Sequence, residues 1–314
     1  MIRNLLFAAC CATGLLPALA QDDLLQLLGE EETGPVFTNA SFKTTRVING
    51  HSLENTAHGV LDFRINHRFG TLDIGVENFF GLDQSEVRIG FDYGITDRLM
   101  VGIGRSGYQK TVDGFAKYKF LRQCDSGCGM PLTAALVASS SVNTMTAQEV
   151  PWYGTDRQDY FTHRLGYSVQ LVLGRKFTEK FTLQVTPGLV HRNLVQYAEE
   201  KNDVYNIGFA GRIKLSKRVA LNAEYFYVLP NQLREATTAE LAIDENAGFK
   251  DSFSIGFDIE TGGHVFQLHF TNSTGMFERA FITETTNSWA DRQVHYGFNI
   301  SRVFTVHEPK KPKV

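Results

Sequence analysis

Once its leader is set aside, the chain contains no apolar run long enough to cross a bilayer as a helix, and neither sign of charge dominates it. The one sustained apolar run, Leu5–Leu19, follows the basic Arg3 and ends in Ala18-Leu19-Ala20 before Gln21. That order of charge, apolar core and small residues is the pattern of a secretory signal peptide over residues 1–20. Asp22 and Asp23 follow too soon for the run to serve as an anchor, which needs roughly 20 apolar residues. Lys and Arg number 31 against 34 Asp and Glu, a net charge of −3, and no basic stripe is present. Nucleic acid is therefore not an expected partner. Cysteine is scarce: of four, Cys10 and Cys11 lie in the leader, where lipidation would leave almost no apolar segment. The mature chain keeps Cys124 and Cys128, close enough in sequence to close a small disulfide loop and too few for zinc, which takes about four ligands.

What is abundant is phenylalanine, at 24 residues, and glycine, at 28. Both favour strands, bends and aromatic girdles over helices. The mean hydropathy of −0.18 excludes a bundle of membrane helices but suits a barrel, whose lipid-facing and lumen-facing residues cancel along each strand.

From about residue 58 the pattern has period two. Leu61, Phe63, Ile65 and Phe69 alternate with Asp62, Arg64, Asn66 and Arg68; Val87, Ile89, Phe91 and Tyr93 oppose Glu86, Arg88, Gly90 and Asp92. The same alternation recurs at Leu165–Leu173, Phe253–Ile259 and Val294–Ile300. About twelve such segments of roughly ten residues are countable, the length a tilted strand needs to cross a bilayer, with ten or fourteen strands within the uncertainty of the boundaries. Joins near Thr96-Asp97, Thr178-Glu179, Ser216-Lys217 and Gly262-Gly263 are short, while those near 70–84, 142–159, 193–203, 230–250 and 275–292 are mostly long. Short turns alternating with long loops predict an all-β, antiparallel, up-and-down transmembrane barrel in the outer membrane, with both chain ends in the periplasm. A secreted β-sandwich also alternates, but its water-facing side would carry many Lys and Glu where these polar faces carry Gly, Ser, Thr, Asn and Gln.

The organisation expected is a signal peptide over 1–20, a periplasmic or plug segment over 21–57, the barrel over 58–304 and a basic periplasmic tail over 305–314. Asp22–Gly34 reads as a short amphipathic helix. Phe42–Ile48 is strand-like yet falls outside the even count, and is open to three readings: an extension, a lumen plug or an extra strand. Strand 112–121 carries Lys117 and Lys119 and shows no clean faces.

Several blocks resemble a β-barrel family of the Gram-negative outer membrane that is defined as a domain of unknown function. They are Phe42–Ser52, Asn78–Asp83, Gly90–Gly94, Ile255–His264, Gln267–Ser273 and Phe298–Phe304, and the likeness runs over nearly all of the mature chain. The resemblance implies the barrel and the outer membrane and supplies no substrate and no catalytic residues. The tail after Phe304, with Lys310, Lys311 and Lys313, departs from barrels that end on a terminal aromatic.

Of the chemistry-bearing motifs, Gly102–Gly107 spells G-x-G-x-x-G, but a dinucleotide site needs a helix next and Tyr108–Phe120 reads as turn and strand. A bend and close strand packing account better for these glycines. His269 and His295 fall on the inward face of neighbouring strands, but spacing fixes no third ligand, so they are read as hydrogen-bonded lumen residues and no metal or cofactor is expected. The inward faces carry Asp62, Glu86, Asp92, Glu224, Asp258 and Glu260 against Arg64, Arg68, Arg88, Arg164, Lys176, Arg192, Arg212 and Lys214. So balanced a set predicts either a structural network or a weakly selective water path. The expected partners are outer-membrane lipid, the barrel-assembly machinery during insertion and a small polar solute. The leading expectation is a passive or gated conduit, the alternative a non-conducting scaffold or ligand holder; no nucleophile motif points to an enzyme.

Overall fold

The computed structural model describes residues 34–238, 240 and 248–307. The signal peptide, the helix read into the residues before Gly34 and the tail over 308–314 lie outside the described residues. Contact patterns divide the chain into two units. In the smaller, Val36–Phe37 pairs antiparallel with Cys124–Ser126, and Cys124 is disulfide-bonded to Cys128.

The larger unit holds a closed antiparallel barrel of twelve strands in which every strand pairs with its sequence neighbours. In chain order they are β1 (Val60–Thr71), β2 (Ser85–Gly94), β3 (Leu99–Ser106), β4 (Thr111–Leu121), β5 (Thr133–Asn143) and β6 (Leu165–Lys176). The second half comprises β7 (Phe181–Arg192), β8 (Asp203–Lys214), β9 (Val219–Val228), β10 (Ser252–Thr261), β11 (His264–Thr271) and β12 (His295–Thr305). Closure is made by β12 on β1, in a register that sets Ile300 opposite Ile65.

Alternation along these strands fixes the two faces. Outward positions such as Ile89, Phe91, Val169, Phe209, Phe257 and Phe270 are exposed, while the residues between them are mostly buried. A continuous band of exposed apolar side chains this large suits lipid and not water. Among the described residues no helix is long and apolar enough to cross a membrane, so the crossing is made by strands.

Gly102 and Gly104, from the G-x-G-x-x-G run, lie on β3 with their missing side chains inward. A Cβ on Gly102 would collide with the Phe115 ring and stand 2.5 Å from Asp92 Oδ1, and one on Gly104 would collide with the Arg88 guanidinium. Close packing inside the barrel requires these glycines.

Candidate functional site

Residues 41–53 do not form a strand of the wall; almost all of them are buried inside the barrel. They fold as a tight hairpin, with Val47 N–H donating to Gly50 O at 2.8 Å, Ser52 N–H donating to Thr45 O at 3.0 Å, and Arg46 bridged to His51. A hairpin standing alone leaves outward-pointing amides and carbonyls that must find partners when buried, and here the wall supplies them.

At the tip, the Glu224 carboxylate accepts three backbone amides, from Ile48 (3.2 Å), Asn49 (2.7 Å) and Gly50 (3.1 Å). Hairpin carbonyls accept in turn from the wall: Gln267 Nε2 donates to Val47 O at 2.7 Å, Asn299 Nδ2 to Ile48 O at 3.1 Å and Gln184 Nε2 to His51 O at 2.7 Å. Lys117 Nζ donates to Ser52 O (2.6 Å) and Glu54 O (2.5 Å). Side chains add Thr45 Oγ1 on Asp92 (3.1 Å), Arg64 Nη1 on Thr45 Oγ1 (3.1 Å) and Arg68 Nη2 on Asn49 Oδ1 (2.5 Å). One side of the hairpin is apolar. Phe42, Val47 and Leu53 pack with Met100, Phe115, Ala135, Val137 and Val172 of the wall, and each buried side chain of this size contributes about 1.5–3 kcal/mol before entropy is charged against it.

A second segment meets the hairpin from the opposite end of the lumen. The connection between β11 and β12 carries a short helix, α1 (Glu278–Thr283), whose Phe281 and Ile282 pack on Val190, Val204 and Phe226 of the wall. Glu278 meets the hairpin: its Oε1 lies 3.0 Å from Arg46 Nη1 and 3.2 Å from His51 Nε2. Beyond α1, at the mouth away from the chain ends, a vestibule of about 730 Å³ remains, lined in part by Trp152, Arg192, Arg234 and Arg279.

The residues read from sequence as lumen-lining distribute unevenly. Asp62, Arg64, Arg68, Arg88, Asp92, Arg212, Glu224, Asp258, His269 and His295 are buried. Glu86 is only half-buried, near the end of β2. Arg164 departs from the expectation: it ends a short turn before β6, pairs with Asp159 at 2.5 Å and donates to Met145 O, so it braces its own loop. His295 Nδ1 donates to Phe69 O at 2.7 Å, and its Nε2 accepts from Asn287 Nδ2 at 2.8 Å and from Thr274 Oγ1 at 2.9 Å, whereas neither ring nitrogen of His269 has a side-chain hydrogen-bond partner among the described residues. Among the described residues no group of three or more metal-ligating side chains converges.

Sequence reasoning missed the hairpin's own partners, Lys117, Gln184, Gln267 and Asn299, and the ion pair of Arg88 with Asp113 (2.5 Å). The last was findable, because Asp113 and Arg88 both fall inward once the register of β2, β3 and β4 is set.

No curated protein sequence matches the chain significantly. Among solved structures it is similar to the NanC porin, at TM-score 0.44 and 9% identity, over 77% of this chain and 98% of that one. It is also similar to the KdgM porin, at TM-score 0.44 and 8% identity over 78% and 99%, and to an outer membrane channel from Pseudomonas putida F1, at TM-score 0.40 and 12% identity over 81% and 98%. Likeness this distant says nothing about what this chain binds. The sequence itself is more specific: residues 42–304 match the model of a membrane bound beta barrel domain, DUF5777, so the match begins inside the hairpin and ends on the last strand. The chain belongs to that membrane-bound β-barrel family.

Proposed function

We propose that this protein is an outer-membrane conduit for small polar solutes, held shut by its own N-terminal hairpin, with both chain ends on the periplasmic side. The observation that carries the reading is the manner in which the lumen is filled. A barrel closed for stability alone can fill its interior with wall side chains, whereas here the filler is a separate segment that enters and leaves at one end and is held mainly by polar bonds.

Those bonds leave a seam. Arg64 Nε and Nη2 and Arg68 Nε are buried without a hydrogen-bond partner among the described residues. Unmet donors of this kind cost about 1–3 kcal/mol each, and withdrawal of the hairpin returns them to water. The polar wall then becomes the lining of the path. The periplasmic placement of the ends is supported by the turns: β6–β7, β8–β9 and β10–β11 join tightly at the end where β1 begins, and most of the long loops lie at the other. Insertion of such a barrel calls for the barrel-assembly machinery.

A second reading, a sealed scaffold, is favoured by the apolar contacts of Phe42, Val47 and Leu53 with the wall. Single-channel recording in planar bilayers separates the two. The conduit reading expects rare discrete steps from the full chain and sustained conductance when residues 41–54 are deleted. A correctly folded full chain that stays silent from pH 5 to 8 at all voltages would overturn it in favour of the scaffold. Neither reading includes a catalytic step.

A further inference from the structure

The vestibule has a chemistry of its own, distinct from the shut lumen beneath it. Among the described residues four arginines line it, Arg157, Arg192, Arg234 and Arg279, against Glu240, which pairs with Arg234, and two further carboxylates, Glu200 and Glu284. The latter two already have partners. Glu200 Oε2 lies 3.3 Å from Arg192 Nη1, and Glu284 takes Gln109 Nε2 at 3.0 Å and lies 3.4 Å from Arg279 Nε.

The guanidinium groups, by contrast, are underused. Each carries five N–H donors. Arg157 commits one, to Val195 O at 2.6 Å; Arg234 reaches Glu240 at 2.7 Å and stacks on Tyr197, 4.3 Å from the ring centroid. Arg279 Nη2 donates to Gln109 Oε1 at 2.8 Å, and Arg192 Nη2 to Lys201 O at 2.8 Å. Arg192, which is only 6% exposed, keeps its Nε without a hydrogen-bond partner among the described residues. Positive charge and spare forked donors thus surround a space of about 730 Å³, within the range of pockets that hold small ligands. Flat faces flank the arginines: Trp152 and Tyr108 line the same space, and ring faces and guanidinium planes both favour stacking with a planar or ring-bearing guest.

We infer that the vestibule binds a small ring-bearing carboxylate of one or two rings, its carboxylate held between arginines and its ring laid against Trp152. The forked geometry of arginine suits a carboxylate better than a neutral hydroxyl, and Arg157, which has no carboxylate partner among the described residues, leaves the space with one net cation that disfavours an amine. This names the class of solute for the conduit and rests on that reading for its purpose; the binding itself requires no open lumen.

The test uses the full chain folded in detergent. Its sequence has two tryptophans, Trp152 in the vestibule and Trp289 tilted against Phe253, so Trp289→Phe leaves Trp152 as the sole reporter. Titration with glucuronate is expected to give a saturable fluorescence change that glucose and glucosamine do not give, and that inorganic phosphate gives at least tenfold more weakly. Arg234→Gln and Arg279→Gln should each weaken glucuronate at least tenfold while the unboiled protein still migrates as a folded barrel. Equal responses to glucose and glucuronate, equal affinity for phosphate and glucuronate, or no saturable response from a folded barrel would each overturn the inference. A barrel that binds glucuronate but never conducts overturns the conduit and leaves the vestibule site standing; a conducting barrel that binds none of the probes does the reverse.

Discussion

The shut lumen and the open vestibule are built from the same residue types and are separated by a single short helix, yet their cations have different work. Below α1, Lys117 and Arg68 are fully buried and turned onto the hairpin, where main-chain carbonyls and Asn49 receive them. Above it, Arg157 is exposed and Arg234 half-buried, and both keep donors to spare among the described residues. Burial makes the difference. A charge taken out of water must be matched by fixed partners, and once matched it is structural; a charge left at a mouth stays available to a guest. The helix joins both, since Glu278 points to the hairpin and the adjacent Arg279 to the vestibule.

The largest break in this comparison comes from Glu224→Ala. It strands the amides of Ile48, Asn49 and Gly50 beside an empty space, and loss of a buried charged acceptor with three donors costs about 3 kcal/mol. If the hairpin docks as a unit, hydrogen exchange at those three amides rises roughly a hundredfold, while the wall strands keep their protection. Unchanged exchange at 48–50 would mean that Glu224 does not hold the tip.

A smaller effect follows from Gly50→Ala. Gly50 is needed for close approach and not for its backbone angles: a Cβ there would stand 2.5 Å from Phe226 Cζ. Overpacking of this kind costs about 1–3 kcal/mol, and Phe226 is itself pinned by Phe281 of α1 at 4.9 Å between ring centroids. The strain should therefore reach α1, and protease access to both the hairpin and the 272–294 connection should increase together.

Much of the barrel was legible in the sequence because the period-two pattern is a direct consequence of strand geometry. Leu61 to Phe69 and Phe253 to Ile259 reveal their faces without any tertiary information. The hairpin was not legible as a plug, since Phe42–Ile48 is apolar enough for a strand and its partners lie as much as 251 residues away. β4 was obscure for the same reason. Its inward face mixes Asp113, Phe115 and Lys117, which is a contradiction for a water-filled lumen but natural for a wall in which Asp113 pairs with Arg88 while Phe115 meets apolar side chains and a ring of the hairpin and Lys117 its carbonyls. Phe115 packs edge-on to His51 at 4.5 Å and under Arg46 at 4.6 Å. The vestibule was legible least, because loops carry no period and their arginines converge only after the barrel has set their positions.

Acidification offers a gentler probe of the contact between hairpin and helix. Burial, reinforced by the Arg46 charge, holds the His51 imidazole well below its ordinary value. Burial alone would push the Glu278 carboxyl up, but His51 and Arg46 together hold it well below the usual carboxylate range. The charged groups facing His51 are Arg46, Lys117 and Glu278. Both folded values are depressed, so the docked hairpin binds fewer protons than the released one, and its stability rises with pH. It is full above about pH 6.5; it weakens first through His51 below that value, then through Glu278 as the pH falls through the carboxylate range. Hydrogen exchange of the 44–52 amides measured between pH 8 and pH 5, corrected for intrinsic rates, should lose protection on the acid side. Protection that increased toward pH 5 would contradict the assignment.

The smallest expected effect is the sharpest control. Arg157→Gln removes a cation of the same kind as those in the lumen, but its side chain is exposed and gives one bond to a loop carbonyl. Surface changes of this sort stay within about 0.5 kcal/mol, so the unfolding midpoint and the amide protection of the hairpin should not move. What should change is the affinity of the vestibule for a carboxylate, because one of the four arginines around the guest is gone. Were Arg157→Gln instead to loosen the hairpin as Glu224→Ala does, the vestibule cations would be part of the plug's support. The division between a structural lower lumen and a receptive upper mouth would then have to be given up.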